Sequence, residues 1–266
     1  MRHLVSAALL AALLTPGGAS AYTDTSPQTD FGAETLKQTE FRLGLGRFEV
    51  GATDDVTLGT TPLLWLFRVK NLLGKWRFLN DGAHAFAASS GLYWLNARDF
   101  DEDNADVTVY CVPLRLSYTF RESNEFRYHF TLSYTAVGTR GEGGDTVDVQ
   151  GVGLVDTAVF NPTFEWDLVR EFAVLIDLSV VLFQRARGNS DQHYVFDEYT
   201  TLDLHQDAEA DLKSGFQAWL AAGVMLSLDT FNLRLLGGYG NYMVPVVNLS
   251  VPNAIPMIDA DIFWRF

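Results

Sequence analysis

Beyond its first twenty-one residues the chain has no apolar run near the roughly twenty residues a membrane-crossing helix needs, which excludes helical spans. It has a single cysteine, Cys111, so no internal disulfide can form. Cys111 lies inside an apolar alternating segment and is read as a small buried hydrophobe. Basic residues are also scarce, with 19 Lys and Arg against 33 Asp and Glu. Phosphate recognition needs the opposite balance, so nucleic acid is not an expected partner. What the chain does have is 22 glycines, 13% aromatics and 48% hydrophobic residues at only 20% charge. That composition leaves two classes open, a soluble β protein or a barrel that crosses a membrane with strands.

The first twenty-one residues have the three parts of an export signal in order. These are a basic start (Arg2, His3), an apolar stretch from Leu4 to Leu14 and the small-residue exit Ala19-Ser20-Ala21. The expected domain organisation is a cleaved signal over 1–21, an N-terminal segment over 22–38 and a barrel over 39–266. No cysteine stands at the exit, so lipid attachment there is not expected.

The barrel reading rests on period-two alternation. From Thr108 to Phe120 one face carries Tyr110, Val112, Leu114, Leu116, Tyr118 and Phe120, and the other Val109, Cys111, Pro113, Arg115, Ser117 and Thr119. The next segment sets Phe126, Tyr128, Phe130, Leu132 and Tyr134 against Arg127, His129, Thr131, Ser133 and Thr135, and the stretches 160–167, 171–182 and 216–228 behave alike. A soluble sandwich would show a polar outer face. Here the faces assigned outward hold almost no charge, as lipid contact requires.

The connections alternate short and long. Those at 52–55, 80–82, 121–125, 167–170 and Asp229-Thr230 are short, and those near 97–106, 138–149, 186–210 and 245–254 are long. Eleven strands are clear: 40–51, 56–66, 71–79, 83–96, 107–120, 126–137, 150–166, 171–185, 211–228, 231–244 and 256–266. Closure favours an even number. A weak strand at Glu34–Gln38, or a reversal near Gly44-Leu45-Gly46, gives twelve, the first choice, and merging the early segments gives ten. A bulge at those glycines is the other explanation for Phe41, Leu43 and Leu45 being out of step with Phe48 and Val50.

At the end of the chain Ile258, Ala260, Ile262, Trp264 and Phe266 share one face, opposite Asp259, Asp261, Phe263 and Arg265. This resembles the closing strand of bacterial outer-membrane β-barrel proteins. The resemblance implies an integral outer-membrane protein of Gram-negative type, whose terminal Phe266, with Trp264 and Ile262, is read by the barrel assembly machinery. The stretches Arg47–Gly51, Val56–Thr60 and Asn71–Trp76 resemble a module of uncharacterised barrels of similar size, which brings no function with it.

The inward phase assigns Arg115, Arg127, Glu165, Asp177, Arg234, Asp259, Asp261 and Arg265, with Lys75 and Arg77, to a lumen charge network. Such a mixture lines a wet pore or pairs across a filled interior. Asp259, Asp261 and Arg265 facing Arg234 form the set of greatest interest. Trp219, Gly223, Gly238 and Gly240 on inward phases suggest an apolar hollow as a variant. No catalytic residue, cofactor or metal site is assigned. His129 beside Thr131 and Ser133 lacks an orienting carboxylate within its strand. His193 and His205, among Asp191, Asp197, Glu198, Asp203 and Asp207, read as an acidic surface loop. Asp99, Asp101 and Asp103 reproduce the early spacing of a calcium loop, but Asn104 replaces its glycine and Tyr110 its closing glutamate. The expectation is an all-β, up-and-down transmembrane barrel without enzymatic activity. It serves as a narrow, porin-like passive transport channel for small solutes or as a structural or surface element. The alternative is an outer-membrane enzyme or ligand-binding barrel that uses its long loops.

Overall fold

A computed structural model describes residues 32–44, 46–96, 106–123, 125–143, 147–197, 200–212, 215–244, 249–251 and 253–266. The expected signal, the mature start at Tyr22 and the Asp99, Asp101 and Asp103 group lie outside the described residues. The strands are β1 (Phe41–Gly44), β2 (Phe48–Thr53), β3 (Val56–Thr60), β4 (Lys70–Asn80), β5 (His84–Asn96), β6 (Asp106–Arg121), β7 (Phe126–Gly143) and β8 (Val147–Val169). They continue with β9 (Phe172–Asp197), β10 (Thr200–Asp211), β11 (Ala218–Leu228), β12 (Phe231–Gly240), β13 (Met243–Val244), β14 (Leu249–Ser250) and β15 (Ile255–Arg265). One helical turn, α1 (Pro62–Trp65), joins β3 to β4.

The sheet runs β9-β11-β12-β15-β1 and onward through β8, which returns to β9. Twelve antiparallel strands therefore form a closed barrel, and β10 continues β9's outer edge above β11. The even count comes from the reversal at Gly44–Arg47, not from a bulge or a strand at Glu34–Gln38. Arg47 carbonyl accepts from Gly44 N–H at 2.8 Å, and β1 pairs back on β2. Pro62 opens α1 and ends β3 at Thr60, short of the expected 66, because proline cannot donate to a ladder but fits a first helical turn.

The supposed loop at 186–210 is instead a hairpin, in which β10 pairs with β9 from Asp211↔Arg185 to Thr200↔Asp197. Likewise β7 and β8 run on to Gly143 and from Val147. Long strands thus rise on one side of the molecule. On the opposite side β1, β2 and β3 hold only 4, 6 and 5 residues, and the wall is low.

The alternation assigned from sequence is the one observed. Arg127, His129, Thr131, Ser133 and Thr135 are buried, whereas Leu114, Leu116, Phe130, Leu132, Ile176 and Leu220 are exposed. Outward aromatics stack from strand to strand: Phe86 on Tyr118 at 4.5 Å, Tyr118 on Phe130 at 6.0 Å, and Phe120 on Tyr128 at 6.1 Å. Each such cross-strand pair adds about 0.2–1 kcal/mol and pins the register. Phe266 exchanges two backbone bonds with Phe41, closing the ring at its seam.

Candidate functional site

The interior is filled unevenly. Against β9, β11, β12 and β15 packs an apolar cluster of Ala173, Leu175, Trp219, Ala221, Met225, Leu236 and Phe263, joined by Tyr242. The expected apolar hollow is therefore occupied. Trp219 lies so close to Gly238 that a Cβ there would sit 2.4 Å from its ring, so the glycine makes room for the indole.

At the short-turn end, ion pairs and the N-terminal segment fill the lumen. Arg127 donates to Glu165 at 3.0 Å and to Asp167 at 2.6 Å, and Glu165 also holds His129 at 3.0 Å. Residues 32–40 form a strap along the inner wall. Ala33 N–H donates to Thr119 Oγ1 (2.8 Å), Leu36 N–H to Thr57 Oγ1 (2.9 Å) and Gln38 N–H to Asp54 Oδ1 (2.8 Å). Lys75 Nζ donates to Gly32 carbonyl at 2.7 Å. The strap's Glu34 pairs with Arg121, and Arg77 stands 3.8 Å away. The segment read as a possible first strand is thus an internal closure at this end.

Thr119, His129 and Glu165 form a relay from three neighbouring strands, with Thr119 Oγ1 3.0 Å from His129 Nδ1 and Glu165 on the far nitrogen. The orienting carboxylate absent from His129's own strand comes from β8. A nucleophile needs access to a substrate. Thr119 is fully buried, accepts from Ala33 and does not line the lumen cavity, so the relay reads as a structural anchor for the strap.

Above the strap lies a cavity of about 630 Å³. Its lining includes six basic side chains, Arg42, Arg47, Lys75, Arg115, Arg234 and Arg265, and four acidic ones, Glu34, Glu49, Asp259 and Asp261. The overall excess of acid in the chain is reversed here.

The anticipated cluster on β15 and β12 divides into separate pairs. Arg234 donates to Asp259 at 3.2 Å, Asp261 accepts from Arg42 at 2.6 Å, and Arg265 pairs with Glu40. Arg42 also reaches Glu49 at 3.3 Å and covers the Phe263 ring at 3.8 Å. Asp177 accepts from Thr163 at 2.6 Å. Sequence reading missed Arg42, because the four-residue β1 is too short to show a phase, and Glu34 and Glu40, because the strap that carries them is not a strand. Cys111 is buried, as expected. His205 contacts Asp207 at 3.2 Å on the exposed part of β10. Among the described residues no group of three or more His, Cys, Asp or Glu is placed to hold a metal.

No family model matches the chain, and no curated protein matches it. Among solved structures it is similar to CdiB from Acinetobacter baumannii, at 8% identity and a TM-score of 0.30, over 87% of this chain and 60% of that one. The chain therefore spans 60% of the length of that structure.

Proposed function

We propose that this barrel resides in the bacterial outer membrane and is a non-enzymatic, narrow passage for small solutes, closed at its periplasmic end by its own N-terminal strap. The outward belt of Leu and stacked aromatics suits lipid, and a polar, charged interior suits water. Short turns on one side and long strands on the other support a periplasmic position for the strap.

The observation that carries the reading is that a cavity of about 630 Å³ ends on residues 32–40, which are held to the wall by hydrogen bonds and the Glu34 ion pairs. A strap held by a few polar contacts is displaceable in a way that wall strands are not. Lipid, the assembly machinery and a small solute are the partners this reading implies.

Planar-bilayer conductance of the refolded protein tests it. Wild type is expected to conduct weakly, with brief openings, and Glu34→Gln to raise the open fraction by loosening the Arg121 clasp. Arg234→Ala and Asp261→Ala are expected to shift ion selectivity in opposite directions. Silence in all four, with folded barrels verified by heat-modifiable gel mobility, sinks the passage and leaves a structural element.

A further inference from the structure

The wall recognises the strap residue by residue. At position 32 a Cβ would stand 2.7 Å from His129 Nδ1 and 2.9 Å from Thr119 Oγ1, so the position suits glycine. The next residue, Ala33, is fully buried and clusters with Ala85 and Ala87. The Glu34 carboxylate lies on Arg121, with Arg77 3.8 Å away. Leu36 is buried, and the main chain is held at both ends of this stretch. Lys75 Nζ donates to the Gly32 carbonyl at 2.7 Å, and the Leu36 N–H donates to Thr57 at 2.9 Å. These are the parts of a peptide-binding groove, in which main-chain bonds give affinity while size-limited positions and an arginine clasp give specificity.

The strap occupies the groove under strain that a separate peptide would escape. Between Leu36 and β1 the chain turns, with Glu40 N–H donating to the Lys37 carbonyl at 3.0 Å, and Thr39 is held at φ 66°. A β-branched residue in the left-handed region is strained, and such strain persists where surrounding contacts over-determine it. The contacts of residues 32–36 supply that hold. A peptide ending at residue 37 makes the same contacts with no hinge to strain. Tethering favours the strap through an effective concentration of about millimolar. The hinge opposes it by about five- to thirtyfold, the scale of one left-handed L-residue.

We infer that this groove is a binding site for an extended acidic peptide of a second protein, with the pattern Gly-Ala-Glu-x-Leu, and that the strap is the resident occupant such a peptide displaces. Charge selects the partner, because the two strap carboxylates, Glu34 and Glu40, sit on Arg121 and Arg265 of the wall. The inference rests on the proposed displaceable strap but not on conduction.

The test titrates the full refolded barrel in detergent micelles with a fluorescent synthetic peptide of residues 32–37, read by anisotropy. The barrel variant Glu34→Gln loosens its own clasp and leaves the wall unchanged. It should bind the peptide about tenfold more tightly than wild type, the scale of one charge-assisted bond. Thr39→Gly relieves the hinge, so it should hold the strap and weaken peptide binding about fivefold. Peptides with Glu34→Gln or Gly32→Val should bind the loosened barrel at least about tenfold more weakly. Equal binding of those peptides, or no saturable binding to a heat-modifiable Glu34→Gln barrel, overturns the inference. Strap cross-links between barrels also overturn it, by making a second copy the occupant. A strap that stays protected from protease in Glu34→Gln overturns the displaceable closure as well, whereas an accessible strap with no peptide bound sinks the binding site alone.

Discussion

Glu165 is fully buried and holds both Arg127 and His129 at 3.0 Å, so each of its two carboxylate oxygens has a partner within the lumen. Removing it leaves the buried Arg127 guanidinium with Asp167 as its carboxylate partner. Glu165→Ala should cost about 3–5 kcal/mol, the usual penalty for breaking a buried pair from one side. Arg187, 48% exposed beside Asp156, offers the contrast, and Arg187→Ala should cost about 0–1 kcal/mol. Urea unfolding in detergent micelles compares the two, and equal losses would contradict the packed interior. The inward phase of Arg127, Glu165, Asp177 and Arg234 was legible from alternation alone. Their partners were not, because the Arg265–Glu40 contact joins residues 225 positions apart and only barrel closure brings them together.

Among the elements, the β9–β10 hairpin was misread as a loop for a physical reason. Where a strand rises above the belt both faces meet water, neither face need be apolar, and alternation carries no signal. The ring closes without that hairpin, since β8–β9 and β9–β11 pair below it. Replacing residues 188–208 by Asn-Gly, a two-residue turn suited to a hairpin, keeps the Arg187↔Glu209 pair. The shortened protein should retain heat-modifiable mobility and an unchanged unfolding midpoint. A lost barrel in this variant would make the hairpin part of the closure. The β1–β2 reversal was legible from the glycines at 44 and 46, although the same residues also allowed a bulge. Pairing with β15 on one side and β3 on the other decides between the two.

For the whole molecule, the proposed lipid setting predicts a depth-dependent cost on the outer face. Leu116, 48% exposed on β6, sits amid outward apolar residues. Leu116→Arg should destabilise the vesicle-inserted barrel by about 2–4 kcal/mol if the site lies near the bilayer midplane. Urea unfolding in phosphatidylcholine vesicles measures this, and a cost within about 0.5 kcal/mol, typical of a water-exposed surface, would count against the membrane reading. The sequence by itself determined the all-β class, the inward and outward faces and the even strand count as first choice, because side-chain alternation is a local property of an extended chain. Only the tertiary structure decided that residues 32–40 turn inward, that the β15–β12 charges separate into pairs, that Trp219 fills the expected hollow and that the wall is low beside β15. Each of these depends on register and closure between segments far apart in the chain, which no local pattern encodes.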